Sequence, residues 1–157
     1  MVAHLGTAPG GYAELAVVDA ERPHELPEGL SYPVAVAMIG TGRTAMGIIE
    51  MAAFRPGDVA VITAAAGGLG GLLVQEARHA GATVVGLAGG PAKTARVREL
   101  GVDDAVDYTA PDWPAAVRKA LDGAAPTVAL DGVGGEIGRQ VLDLLGIGGR
   151  IILYGGA

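Results

Sequence analysis

The stretch VAVITAAAGGLGGLLVQEARHAGATVVGLA, Val59–Ala88, decides the fold. VAVIT (Val59–Thr63) is an apolar run of strand length, apolar at consecutive positions as in a strand buried on both faces. From Leu69 the period changes, with Leu69, Leu73, Ala77 and Ala80 recurring at helical spacing. The glycines between the two runs therefore occupy a strand-to-helix turn. Within it, Ala65-x-Gly67-x-x-Gly70 is a GxGxxG variant with alanine first. A small residue suffices for the tight turn; Gly67 lets backbone approach a pyrophosphate, and Gly70 lets helix and strand pack closely. Free N–H groups and the helix dipole would then face the phosphates. Small residues also serve ordinary strand-to-helix turns. The strand–helix–strand context is what raises the dinucleotide reading above that one.

The same alternation continues outward. TVVGLA (Thr83–Ala88) reads as a strand, and PAKTARVREL (Pro91–Leu100) as a helix with Pro91 in its first turn and Gly101 past its end. DAVDY (Asp104–Tyr108) is a strand, followed by a helix through Leu121 that Asp112 is placed to cap, with Pro114 in its first turn. TVALD (Thr127–Asp131) is a strand, Gly135–Leu145 a helix and RIILYG (Arg150–Gly155) the last strand. Strands alternating with helices predict an α/β doubly wound parallel sheet, a Rossmann fold in three αβα layers. The first ~30 residues break the pattern. GGYAELAVV (Gly10–Val18) reads as a strand, ERPHELPEGL (Glu21–Leu30) as a Pro-punctuated connector, and Tyr32–Phe54 as one or two helices.

Composition narrows the function classes. At 157 residues the chain suits one α/β domain, and its 27 glycines show no collagen-like period. It contains no cysteine, which excludes disulfides, thiolate zinc sites and a cysteine nucleophile. A net charge of −6 with no Lys/Arg cluster argues against nucleic acid or an acidic membrane surface as partner. No apolar run approaches the ~20 residues of a membrane span, and MVAHLGTAPGG lacks the regions of a signal peptide. The expectation is a soluble cytoplasmic protein.

The end of the second strand bears on cofactor choice. NAD sites commonly offer a carboxylate to the ribose about 20 residues after the motif. Here Ala88 stands at that place, followed by Gly89, Gly90 and then Lys93. A missing carboxylate with a nearby cation suits the 2′-phosphate of NADP; a solvated helix lysine is the competing reading. Tyr108, at the end of the third strand, is either its neighbour or a half-buried aromatic.

VAVITAAAGGLGGLLVQEARHAGATVVGLAGGPAKTARVRELGVDDAVDY and LDGVGGEIGRQVLDLLGIGGRIILYGGA resemble the zinc-less quinone oxidoreductase branch of the medium-chain dehydrogenase/reductase superfamily. GGYAELAVV, LPEGL and GTGRTAMGIIEMAAFRPGD resemble the passage from that family's catalytic domain into its cofactor domain. The resemblance implies that residues 1–30 are a remnant of a GroES-like catalytic domain with its connector. Residues 31–157 would be a dinucleotide-binding Rossmann domain lacking the sixth strand. It places pyrophosphate at Gly67, Gly68, Leu69 and Gly70, and the adenosine phosphate near Gly89, Lys93 and Tyr108. Val133 and Gly134, in the loop from Asp131, would line the adenine-to-nicotinamide side with Tyr154 and Gly155, and Thr44 would approach the nicotinamide. Gly89 and Gly90 replace the serine or threonine of many relatives, leaving fewer side-chain donors for the phosphate.

The implied function is NADPH-dependent hydride transfer to a quinone or α,β-unsaturated carbonyl, with no catalytic residue and no metal ligand assigned in this chain. Zinc-dependent relatives carry a ligand cysteine near the position of Ile39–Gly40, and His4, His24 and His79 are scattered. Short-chain dehydrogenases need Tyr-x-x-x-Lys, which Tyr12, Tyr32, Tyr108 and Tyr154 all lack. The alternatives are an enoyl-thioester reductase, a zinc-less alcohol dehydrogenase, or a non-catalytic dinucleotide-binding protein. By itself the chain is expected to be inactive. Ile151–Leu153 would form an open apolar edge that pairs with another chain, as in a homodimer, or is covered by Gly10–Val18.

Overall fold

Strand residues here alternate between two apolar cores, and that alternation sets the layers. The computed structural model describes residues 12–155. Its elements begin with α1 (Tyr32–Ala52), β1 (Val59–Ile62), α2 (Gly68–His79), β2 (Thr83–Ala88) and α3 (Pro91–Glu99). They continue with β3 (Asp104–Asp107), α4 (Trp113–Ala120), β4 (Val128–Asp131), α5 (Gly135–Leu144) and β5 (Arg150–Leu153). The strands form one parallel sheet in the order β3-β2-β1-β4-β5. Ala60, Ile62, Val84, Val128 and Leu130 face one side, where α2, α3 and the end of α1 supply Leu73, Val74, Val97, Ile48 and Ala52. Val61, Val85, Leu87 and Ala129 face the other, where α4 and α5 supply Trp113, Val117, Val141 and Leu144. This is the three-layer, doubly wound α/β fold that the alternation predicts.

The chain divides into two compact units, Met1–Thr44 and Ala45–Ala157, with the division inside α1 and the sheet wholly in the second. In the first unit, the expected strand over Gly10–Val18 does not form across its described part. Tyr12, Leu15 and Val17 are exposed, and residues 12–18 belong to no strand. A strand needs a partner for its N–H and C=O groups, and this segment has none to pair with among the described residues. Gly10, Gly11 and His4 lie outside the described residues.

Two further expectations need correction. Asp112 does stand at the N-cap of α4, but its side chain makes no capping bond. Pro114 at the second helical position has no N–H to offer, and the Ala115 N–H is taken by the Asp112 carbonyl. Second, α1 is one 21-residue helix with a mean hydropathy of 1.2 over its most apolar 18 residues, so by length and composition it reaches membrane-span values. Ala45, Ile48 and Ala52 on it are nevertheless buried. Arg150, at the start of β5, is drawn inward. Its guanidinium donates to Ala52 O (2.7 Å), Ala53 O (3.2 Å) and Asp58 Oδ2 (2.7 Å).

Candidate functional site

The glycine turn leaves the sheet between β2 and β4, where the strand order reverses. Thr63 donates its N–H to Leu130 O (3.0 Å), and Ala65 donates to Leu87 O (2.9 Å). Ala64 turns the chain with φ +48, an uncommon conformation for a residue bearing Cβ. Gly67 then caps α2 without a side-chain bond. Among the described residues, no protein group accepts the N–H of Gly68, Leu69 or Gly70. These donors stand at the positive end of the helix dipole. Gly70 is required by packing: a Cβ there would meet Ala65 Cα at 2.7 Å and overlap the Ala64 carbonyl. Gly67 is freer, with only Ala64 O at 3.2 Å from the same point.

Beside the turn lies a cleft of about 360 Å³. It is lined by Ala64, Ala66 and Gly67, by Ala88 and Gly89 at the end of β2, by Lys93 and Arg96 of α3, and by Tyr108. None of these carries a carboxylate. The Tyr108 ring packs against Gly89, 3.0 Å from where a Cβ would stand. Gly90, at φ +87, turns the chain into α3 and donates its N–H to Asp107 Oδ1 (2.8 Å). That bond, with the Thr109 hydroxyl and N–H, holds the Asp107 carboxyl below its ordinary value. Arg96 is a lining residue the sequence reading missed. Its signal was the i,i+3 spacing from Lys93, which puts both cations on one helix face.

A second group gathers at the ends of β4 and β5. Asp131 is fully buried and accepts from Thr63 Oγ1 (2.8 Å), from the Val133 N–H (3.0 Å) and from the Gly134 N–H (3.1 Å). Tyr154 N–H donates to Asp131 O (3.0 Å) and its hydroxyl to Thr63 O (3.4 Å). Burial first, and the Asp131 charge second, push the Tyr154 hydroxyl up to about 12. The Tyr154 ring lies over Gly132, and Gly155 packs against Gly132 O.

Thus Gly67, Gly89, Lys93 and Tyr108 share one cleft, with Gly68, Leu69 and Gly70 at its turn. Val133, Gly134, Tyr154 and Gly155 cluster on the neighbouring strand ends. Thr44 lies on α1 in the first unit, its hydroxyl donating to Gly40 O (3.2 Å). A larger groove of about 450 Å³ runs between β3 and α4, lined in part by Asp104, Asp107, Asp112 and Lys119. It includes neither the turn nor its free N–H groups.

Residues 68–157 match the family described as zinc-binding dehydrogenase. The chain is 31% identical over 151 residues to 2-haloacrylate reductase of a Burkholderia species, covering 94% of this chain and 45% of that protein. A solved structure titled NAD-dependent alcohol dehydrogenase superposes with a TM-score of 0.85 at 33% identity, over 94% of this chain and 44% of the other. CurA from Vibrio vulnificus in complex with NADPH superposes at 0.73 and 32%, over 83% of this chain and 40% of the other. The chain spans less than half the length of the curated relatives it matches.

The zinc of the family's description does not fit the residues present. There is no cysteine, and no three histidine, aspartate or glutamate side chains converge among the described residues. A nicotinamide dinucleotide does fit, because the turn offers unshared N–H groups beside an open cleft. By sequence match and by fold, this chain belongs to the zinc-binding dehydrogenase family of the medium-chain dehydrogenase/reductase superfamily.

Proposed function

We propose that this chain is the NADP(H)-binding part of a zinc-independent reductase that passes hydride to a quinone or an α,β-unsaturated carbonyl compound. The observation that carries the reading is the pairing of three free N–H groups at the start of α2 with a cleft holding two cations and no carboxylate. The N–H groups of Gly68, Leu69 and Gly70 suit a pyrophosphate. Lys93 and Arg96 suit the 2′-phosphate, and Ala88 withholds the carboxylate that a free 2′-hydroxyl prefers. Tyr108 forms one wall for the adenosine.

A doubly wound sheet offers one mononucleotide site on each side of its switch point. The nicotinamide half therefore runs toward β4 and β5, past Val133, Gly134, Tyr154 and Gly155. The cofactor, when bound, supplies the hydride. The chain's residues bind it, orient it and exclude water. Tyr154 keeps its proton at neutral pH and directs it at Thr63 O, and its ring forms a wall over Gly132.

Titration of NADPH against NADH tests the reading. Tighter NADPH is expected; equal affinities would remove the phosphate role, and binding of neither would remove the dinucleotide reading. The likeness to a structure named an alcohol dehydrogenase favours one alternative substrate class. A turnover panel of quinone, enone, enoyl thioester and alcohol, run on the protein with its catalytic domain, separates them. β5 forms an edge of the sheet with Leu153 exposed, which supports pairing of that edge with a second copy. Sedimentation at high concentration tests this, with a strict monomer as the contrary result.

A further inference from the structure

Two helices start side by side at the switch point, α2 after β1 and α5 after β4, and both are capped by glycine. Both leave the N–H groups of their first three residues unshared among the described residues, and they differ in the loops before them. Before α2, Ala65 and Gly67 donate to the backbone carbonyls of Leu87 and Ala64. Before α5, three successive N–H groups are consumed internally: Gly132 donates to Thr63 Oγ1 (2.9 Å), and Val133 and Gly134 donate to the Asp131 carboxylate. Gly134 and Gly135 hold φ +73 and +58, so the loop has a shape that other residues adopt only with strain. The Thr63 hydroxyl has one proton, which goes to Asp131 Oδ1 (2.8 Å), and its lone pair takes the Gly132 N–H.

Gly138 on α5 completes the arrangement, because a Cβ there would collide with Asp131 Oδ2. The carboxylate thus has a built cavity, is fully buried, and receives only donors. Thr63 is also the residue that opens the glycine turn. One hydroxyl therefore ties the turn that faces the pyrophosphate to the loop of the neighbouring strand.

We infer that Asp131, acting through Thr63 and the loop at 132–134, is a positioning residue that shapes the nicotinamide half of the site and leaves the adenosine half untouched. The inference rests on the dinucleotide reading above. The adenosine cleft lies on the β2 and β3 side of β1, lined by Lys93, Arg96 and Tyr108, none of which bonds to Asp131 or Thr63. Asp131→Asn keeps the shape of the side chain but can present an amide donor to the Gly134 N–H. Thr63→Val keeps the volume and removes both hydroxyl bonds. Each releases the loop without adding bulk.

The experiment titrates NADPH and 2′,5′-ADP, a probe of the adenosine half, into wild type, Asp131→Asn, Thr63→Val and Thr63→Ser. Leaving one or two loop donors unpaired should weaken NADPH by about tenfold or more in Asp131→Asn and Thr63→Val. The 2′,5′-ADP affinity should stay within about twofold, since no bond to that half changes. Thr63→Ser, which restores the hydroxyl, should return NADPH binding to near wild type. Amide exchange at 132–134 should quicken in the first two variants without ligand. Parallel loss of both ligands, unchanged NADPH binding, or unfolding of both Asp131→Asn and Thr63→Val would overturn the inference and leave Asp131 a plain structural residue. Failure of the wild type to bind either probe would instead overturn the dinucleotide reading itself.

Discussion

Strands β1 and β4 are clasped at both ends by an aspartate and a threonine, and the two clasps differ in what surrounds them. At the N-terminal ends, Asp58 before β1 accepts from the Thr127 hydroxyl before β4 (2.6 Å), and Thr127 Oγ1 accepts the Val59 N–H (3.0 Å). At the C-terminal ends the residues are exchanged: Thr63 follows β1 and Asp131 closes β4. The lower carboxylate is neutralised by Arg150 at 2.7 Å. The upper one meets no guanidinium or ammonium among the described residues and takes loop N–H groups instead. The same pair of side chains therefore locks strand ends at one edge of the sheet and moulds a loop at the other. In parallel sheets it is the carboxyl ends of the strands that face ligands, so a change at the upper clasp should register in binding and a change at the lower one in stability.

The comparison can be broken most severely at Gly70. Gly70→Val would drive a side chain into the Ala64 carbonyl and Ala65 Cα, which are backbone and cannot turn aside. We expect a loss of stability on the order of 3 kcal/mol, read as a large fall in thermal midpoint, with binding lost as a consequence. Gly67→Val is the sharper variant. Only Ala64 O comes near its Cβ, at 3.2 Å, so the fold should survive while NADPH binding weakens by about tenfold or more. A folded Gly67→Val protein that binds NADPH normally would separate the turn from the cofactor.

Smaller effects are expected in the cleft. Lys93→Ala and Arg96→Ala should each cost about 1–2 kcal/mol of NADPH binding and leave NADH almost unchanged. Equal loss for both cofactors would strip these cations of a phosphate role. The lower clasp supplies the mildest test. Burial alone would raise the Asp58 carboxyl, but hydrogen bonds from Arg150, Thr127 and the Arg55 N–H outweigh it and hold it below the ordinary value. A carboxyl depressed in the folded state adds stability above its unfolded pKa and loses it as pH falls through the folded value. Asp58→Asn should therefore lower stability by about 1 kcal/mol at neutral pH and shrink the difference from wild type below about pH 4. Chemical denaturation across that range reads both, and NADPH affinity at neutral pH should not move.

Much of this was legible because it is local. Val59–Thr63 and Leu69–Ala80 announce a strand and a helix by period alone, and Gly67 and Gly70 mark the turn between them. Lys93 was found because it follows Ala88 in the chain. Arg96 lay three residues further on, but only the cleft shows that its exposed side chain lies beside the turn. The N-terminal segment failed for the converse reason. GGYAELAVV has strand character, yet strand formation needs a partner, and pattern supplies none.

By itself, then, the sequence determined the order of strands and helices, the parallel doubly wound class and the position of the glycine turn. Each follows from periodicity, chain connectivity and the steric needs of neighbouring residues. The tertiary structure alone decided what holds the loop that leads into each helix. Thr63 and Asp131 are 68 residues apart, as far as any local rule is concerned unrelated, and the clasp between Asp58 and Thr127 spans 69. GGLGG and DGVGG look alike as strings. They part company because packing β1 against β4 brings a buried carboxylate and a hydroxyl to the second loop, whereas backbone carbonyls hold the first.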